Sequence, residues 1–147
     1  MLSLFILFAV AFIIFQQYRE KQYKIETLNI KLQDFNNTLH DALLADSTHD
    51  GEGTNTDYLA RHAIRDLRVT IIRKDGRVIF DNVRKDYPKM GNHAGRPEVV
   101  KALKDGNGSA VDRNSPTMKQ DYFYSATYYS GQGYIIRSAL PYNVDLA

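Results

Sequence analysis

The sequence predicts an α+β fold: a long N-terminal helix, then a central five-stranded antiparallel sheet that carries a short lid helix. Two observations predict it. The first 45 residues repeat their apolar positions at helical spacing, while most of the later apolar runs alternate in twos or end at tight turns. In addition, ten Tyr and seven Phe, with most of the Tyr in the C-terminal third, suit a pleated half-buried surface.

A chain of 147 residues accommodates one ordinary domain plus one appended element. Lys and Arg total 19 against 17 Asp and Glu, with no interleaved basic and aromatic stripe, so no nucleic-acid partner is expected. Cysteine is absent, which excludes disulfides, thiolate metal sites and Cys nucleophiles together.

Residues 2–15, LSLFILFAVAFIIF, carry no charge, and only Ser3 is polar. As a helix this run reaches about 21 Å, short of the roughly 30 Å hydrocarbon core of a bilayer. A signal peptide would show a positive n-region and a small-residue cleavage site, and a soluble core helix would show a polar face. Residues 1–15 are therefore read as a partial transmembrane helix whose first turns lie upstream. Arg19, Lys21 and Lys24 follow directly, which runs against the positive-inside rule for a segment that continues outward.

Residues 16–45 continue as a stiff stalk helix. Ile25, Leu28, Leu32, Phe35 and Leu39 alternate at spacings of three and four, the seam of a helix that pairs along one stripe. That stripe either meets a second copy of the helix or lies on the chain's own domain. His40, followed by an acidic residue, superficially matches a phospho-accepting box, but no nucleotide-binding glycine motif accompanies it. It is read as a solvated position beside the seam. The polar loop Asp46-Ser47-Thr48-His49-Asp50-Gly51-Glu52-Gly53 ends the rod, and the sheet-containing domain is expected over residues 46–147.

Asn55 or Thr56 can cap a helix over residues 57–67. Strands are expected over 68–73 and 77–82, joined at Lys74-Asp75-Gly76, because Asp-Gly supplies the positive φ that tight hairpins need. Pro97 opens a helix of about seven or eight residues, Glu98 suits the positive end of its dipole, and Gly106 or Gly108 ends it. Three more strands are expected over 109–114, 121–129 and 134–140, the last two joined at Ser130-Gly131-Gln132-Gly133. In the middle one Tyr122, Tyr124, Ala126 and Tyr128 share a face opposite Phe123, Ser125, Thr127 and Tyr129.

VTIIRKDGRVIFDN, followed by Asn92-His93, Arg96-Pro97-Glu98, Gly106-x-Gly108, Arg113-x-Ser115-x-Thr117 and Tyr122-Phe123-Tyr124, resembles the extracytoplasmic sensor domain of membrane-bound histidine kinases of the phosphate-regulon type. The resemblance covers roughly residues 68–129. It implies a PAS-like domain of the PDC or Cache kind, with a small-ligand pocket between sheet and lid. The candidate pocket residues are then His93, Arg96, Arg113, Tyr122 and Tyr124. For each a structural role competes: His93 could fix its loop, Arg96 could tie the lid to carbonyls or to Asp81, and the two Tyr could be core.

The resemblance further implies a homodimer through the N-terminal helix and a location in the bacterial inner membrane, with the residues after about 16 periplasmic. A cytoplasmic ATP-dependent kinase and its response regulator would belong to the parent protein. No cofactor or metal is expected in this segment. The same sensor could serve a chemoreceptor or a cyclase, and a pilin-like subunit is the competing structural reading. An acid-base pair of His93 with Glu98 or Asp81 is conceivable, yet no nucleophile motif, HExxH, P-loop or dinucleotide fingerprint is present, so this segment is not expected to be an enzyme.

Overall fold

The computed structural model describes residues 1–46, 51–62, 64–112 and 121–142. Helix α1 (Leu2–Ala45) is one uninterrupted helix of 44 residues, about 66 Å at the usual rise per residue. Helix α2 (Gly51–Arg61) and strands β1 (Arg68–Arg73) and β2 (Val78–Asp81) follow. A 3-10 turn (Tyr87–Lys89) leads to helix α3 (Pro97–Asp105), and strands β3 (Asn107–Asp112), β4 (Tyr122–Tyr129) and β5 (Tyr134–Pro141) complete the fold. The strands form one antiparallel sheet in the order β2-β1-β5-β4-β3, so the last strand lies at its centre.

The sheet has two functional faces because its side chains alternate. Val69 and Ile71 of β1, Ile136 of β5 and Phe123 of β4 form the main core with Leu32, Phe35 and Leu39 of α1. Ile25 and Leu28 pack against the same cluster. The predicted seam is thus covered by the chain's own sheet, and a second helix is not what buries it. Polar contacts also cross this interface: Asn36 Nδ2 donates to the Ser125 carbonyl at 3.1 Å, and the Ser125 hydroxyl donates to Asn29 Oδ1 at 2.7 Å.

His40 is not a solvated position. It stacks on Tyr129 with ring centroids 3.8 Å apart, and its Nδ1 lies 2.6 Å from the Tyr134 hydroxyl. Burial pushes the Tyr134 phenol up to about 12 and pulls His40 below its ordinary value, so a neutral phenol donates to a neutral imidazole. The contact docks the stalk on the tip of the β4–β5 hairpin.

Helix α2 begins at Gly51 rather than residue 57, inside the expected polar loop, and Asn55 is a buried residue within it rather than its cap. It stops at Arg61 because Leu67 is needed elsewhere: Leu67 belongs to the core, and its carbonyl accepts from Asn82 Nδ2 at 3.0 Å. Asp66, at φ 64°, makes the reversal into β1. Strand β3 starts at Asn107, where Gly106 caps α3 in the left-handed conformation that glycine adopts without steric cost. Gly108 is required by space, since a Cβ there would meet the Glu98 carbonyl at 2.5 Å. Helix α3 therefore lies flush on β3.

Leu2–Phe15 is exposed throughout, and α1 is long and apolar enough at this end to cross a membrane. Packing on the sheet begins only at Ile25. Replacing Leu39, fully buried in the core, by Ala is expected to cost about 2–5 kcal/mol in urea unfolding of the detergent-solubilised chain. Ile30→Ala, on the outward face at 69% exposure, is expected to change stability by no more than about 0.5 kcal/mol.

Candidate functional site

The loop before α3 is positioned by the first hairpin. Gly76 has φ +93°, and a Cβ there would collide with Asn92 and Ala94. The loop packs against that bare backbone: the His93 N–H donates to the Gly76 carbonyl at 2.8 Å and Asn92 Nδ2 to the Asp75 carbonyl at 2.7 Å. The Asp-Gly turn thus has a second use, as the seat of the loop that carries His93 and Arg96.

Between this loop and the sheet face away from α1 lies a cavity of about 440 Å³. Its floor is Arg68 of β1, Tyr124 of β4 and Arg137 of β5; its walls include Arg84, His93, Arg96, Glu98 and Asp112. Four guanidinium groups therefore border one cavity.

Arg137 is its most constrained member. Buried in the central strand, it donates from Nη1 to Glu98 Oε1 at 3.0 Å and from Nη2 to the Thr70 hydroxyl at 3.2 Å, with its Cζ 4.6 Å from the centre of the Tyr124 ring. Burial lowers its pKa, opposed chiefly by Glu98 and Tyr124. The Thr70 hydroxyl in turn donates to Asp81 Oδ2 at 3.0 Å. Arg68 reaches that same oxygen from Nε at 3.1 Å and Nη2 at 3.0 Å. Burial alone would raise Asp81, but the Arg84 N–H, Arg68 and the Val83 N–H outweigh it and hold the carboxyl below its usual range. A continuous chain Glu98–Arg137–Thr70–Asp81–Arg68 thus links α3 to the sheet.

His93 is buried, and its Nδ1 lies 2.7 Å from the Gly91 carbonyl. A carbonyl only accepts, so Nδ1 carries the proton and Nε2 is left as the acceptor. Burial, then Arg137, lowers its pKa and keeps the ring neutral. Arg96 precedes α3, lines the cavity and is exposed, with no ion pair among the described residues.

The cavity brings together three of the five expected residues, His93, Arg96 and Tyr124. Tyr122 is buried beside Tyr124 and Ala139, its ring 6.2 Å from that of Tyr124, and does not border the cavity. Arg113 lies outside the described residues. Arg96 does not tie the lid to Asp81, because Arg68 holds that carboxylate from the adjacent strand. An acid-base pair with His93 is not assembled either: Glu98 is held by Arg137 and Asp81 by Arg68. Arg68, Arg84 and Arg137 escaped the sequence reading. The available signal was a lone Arg in the apolar run Ile135-Ile136-Arg137-Ser138-Ala139, a position that costs stability unless a partner is buried with it.

No family model and no curated protein matches this chain. Solved structures do. A periplasmic sensor domain of a chemotaxis protein aligns at TM-score 0.53 and 14% identity over 84% of this chain and 96% of its own. A Cache chemosensory domain, described with carboxylic acid recognition, aligns at 0.53 and 13% over 86% and 96%. The chain has the fold of a Cache-type sensor domain. The chain also aligns at TM-score 0.60 and 10% identity with the Bacillus subtilis YkuI protein, which has an EAL domain and was solved with c-di-GMP and calcium, over 88% of this chain and 37% of that one. None of these three is described as a phosphate-regulon sensor.

The Glu98–Arg137 pair is nearly fully buried on both sides. Arg137→Met alone leaves a buried carboxylate without its cation and is expected to cost about 3–5 kcal/mol. Arg137→Met with Glu98→Leu is expected to recover most of that loss in thermal or urea unfolding.

Proposed function

We propose that this chain is the extracytoplasmic sensing part of a membrane-anchored signal receptor and that its cavity takes a small carboxylate. The observation that carries this reading is the ring of Arg68, Arg84, Arg96 and Arg137 around one cavity under a lid. Arginine forks match carboxylate geometry, and a cavity of about 440 Å³ is of small-metabolite size. The Cache-type fold supports a sensory role, and the neighbour described with carboxylic acid recognition supports the ligand class.

The apolar end of α1 anchors the domain in the inner membrane, and the rest of that helix carries the signal. Because β5 presents Arg137 to the cavity and Ser138 to α1, occupancy biases the helix against the sheet; a coupling of about 1–3 kcal/mol suffices for a many-fold change in output. The parent is a two-component sensor histidine kinase acting on a response regulator, or a chemoreceptor; the chemotaxis neighbours favour the second as much as the motif order favours the first. Dimerisation uses the outward face of α1, where Tyr23, Ile30 and Leu44, seven and fourteen residues apart, are exposed.

The test is a thermal-shift and calorimetric comparison of small mono- and dicarboxylates with amines of matched size. Carboxylates at 100 times their Kd are expected to stabilise by about 2.7 kcal/mol, and the amines not at all. Arg96→Ala is expected to weaken binding by about tenfold or more while leaving the unliganded melting point unchanged. Stabilisation by amines alone, or by neither class, contradicts the reading.

A further inference from the structure

Among the described residues, three of the four guanidiniums that border the cavity are ion-paired before any ligand arrives. Arg68 faces Asp81 of β2, Arg84 faces Asp86, and Arg137 faces Glu98 of α3, each within 3.1 Å. Among the described residues the other charged lining groups are Arg96 and Asp112 of β3, one of each sign. Tyr124 of β4 adds no charge, because burial raises its pKa. A carboxylate entering a partly closed cavity therefore meets one guanidinium, Arg96, that is not already ion-paired among the described residues, and any further offset of its charge has to come from a proton.

His93 is the lining group able to supply the balance. It is the only imidazole on this wall among the described residues, buried to 4% exposure, and its Nδ1–H is fixed on the Gly91 carbonyl. The loop that holds it is seated on Gly76, so the ring is placed by backbone and does not swing to find a partner. We propose that a carboxylate binds this cavity together with one proton, which His93 takes from solvent to become imidazolium. The inference rests on the carboxylate reading above and adds to it the regulation of the same site.

The sign follows from linkage. In the empty cavity burial and the guanidiniums of Arg137, Arg96 and Arg68 disfavour the charged ring, so it is neutral at pH 7. A bound anion offsets those cations and raises its pKa, and by reciprocity added protons tighten the anion. Affinity therefore rises as pH falls between the two values, by up to about tenfold per unit for one proton.

The experiment is calorimetric titration of the detergent-solubilised full chain with acetate from pH 8 to pH 6, where acetate itself stays ionised, in two buffers of different ionisation enthalpy. The expected result is a Kd that falls with pH and a heat that varies between buffers as uptake of up to one proton requires. His93→Asn, whose amide can still donate to the Gly91 carbonyl, is expected to bind with a flat pH profile. Proton NMR of the wild-type His93 ring gives the same answer without a variant: its midpoint moves up when acetate saturates. Wild-type binding with the same Kd at every pH and an unmoved midpoint overturns this inference alone. No binding of acetate at any pH overturns it together with the carboxylate reading.

Discussion

Arg137 is the constraint around which the rest of the fold is arranged. A guanidinium in the central strand of a sheet cannot be left unpaired, so its burial dictates a carboxylate from the lid helix, a hydroxyl from β1 and an aromatic face from β4. Those three requirements fix where α3 sits, which residue occupies Thr70 and which face of β4 turns away from α1. The cavity then follows, since Glu98 and Tyr124, two of the side chains that hold Arg137, border it together with Arg68 and the loop carrying His93 and Arg96.

The opposite face of the same strands holds the stalk. Along β4, Tyr124 meets Arg137 while Ser125 bonds Asn29 and Asn36 of α1; along β5, Arg137 meets Glu98 while the Ser138 hydroxyl donates to the Leu32 carbonyl at 3.3 Å. Cavity and helix are thus one residue apart along two strands. On α1, Gln33 Nε2 and Asn36 Oδ1 are buried without hydrogen-bond partners among the described residues, Asn36 at the contact with the sheet. An interface that is part polar and part unsatisfied sits in a shallower minimum than an apolar one, which suits an element that has to shift.

Much of this was legible from local signals. The alternation in β4, the Asp-Gly hairpin, Pro97 at the start of α3 and Gly106 at its end are set by backbone chemistry within a few residues, and the structure follows them closely. What periodicity cannot say is what covers a stripe. Ile25 to Leu39 has the same spacing whether it meets a second helix or a sheet, and here it meets a sheet. Helix α2 was misplaced because its end is set by the tertiary demand for Leu67, and His40 because its partners lie on a hairpin far along the chain. The site was half legible for the same reason. His93 and Arg96 stood out as polar residues that architecture left unexplained, whereas Arg68 and Arg137 become visible only when strand register brings Thr70 opposite both Asp81 and Arg137.

The central claim is that this cavity is an anion-sensing pocket whose floor is Arg137. A crystal structure of the chain grown with saturating acetate tests it most directly. The account predicts a carboxylate inside the cavity, within hydrogen-bond distance of the Arg96 or Arg137 guanidinium and facing His93. A carboxylate bound elsewhere on the domain while this cavity stays free of it contradicts the account.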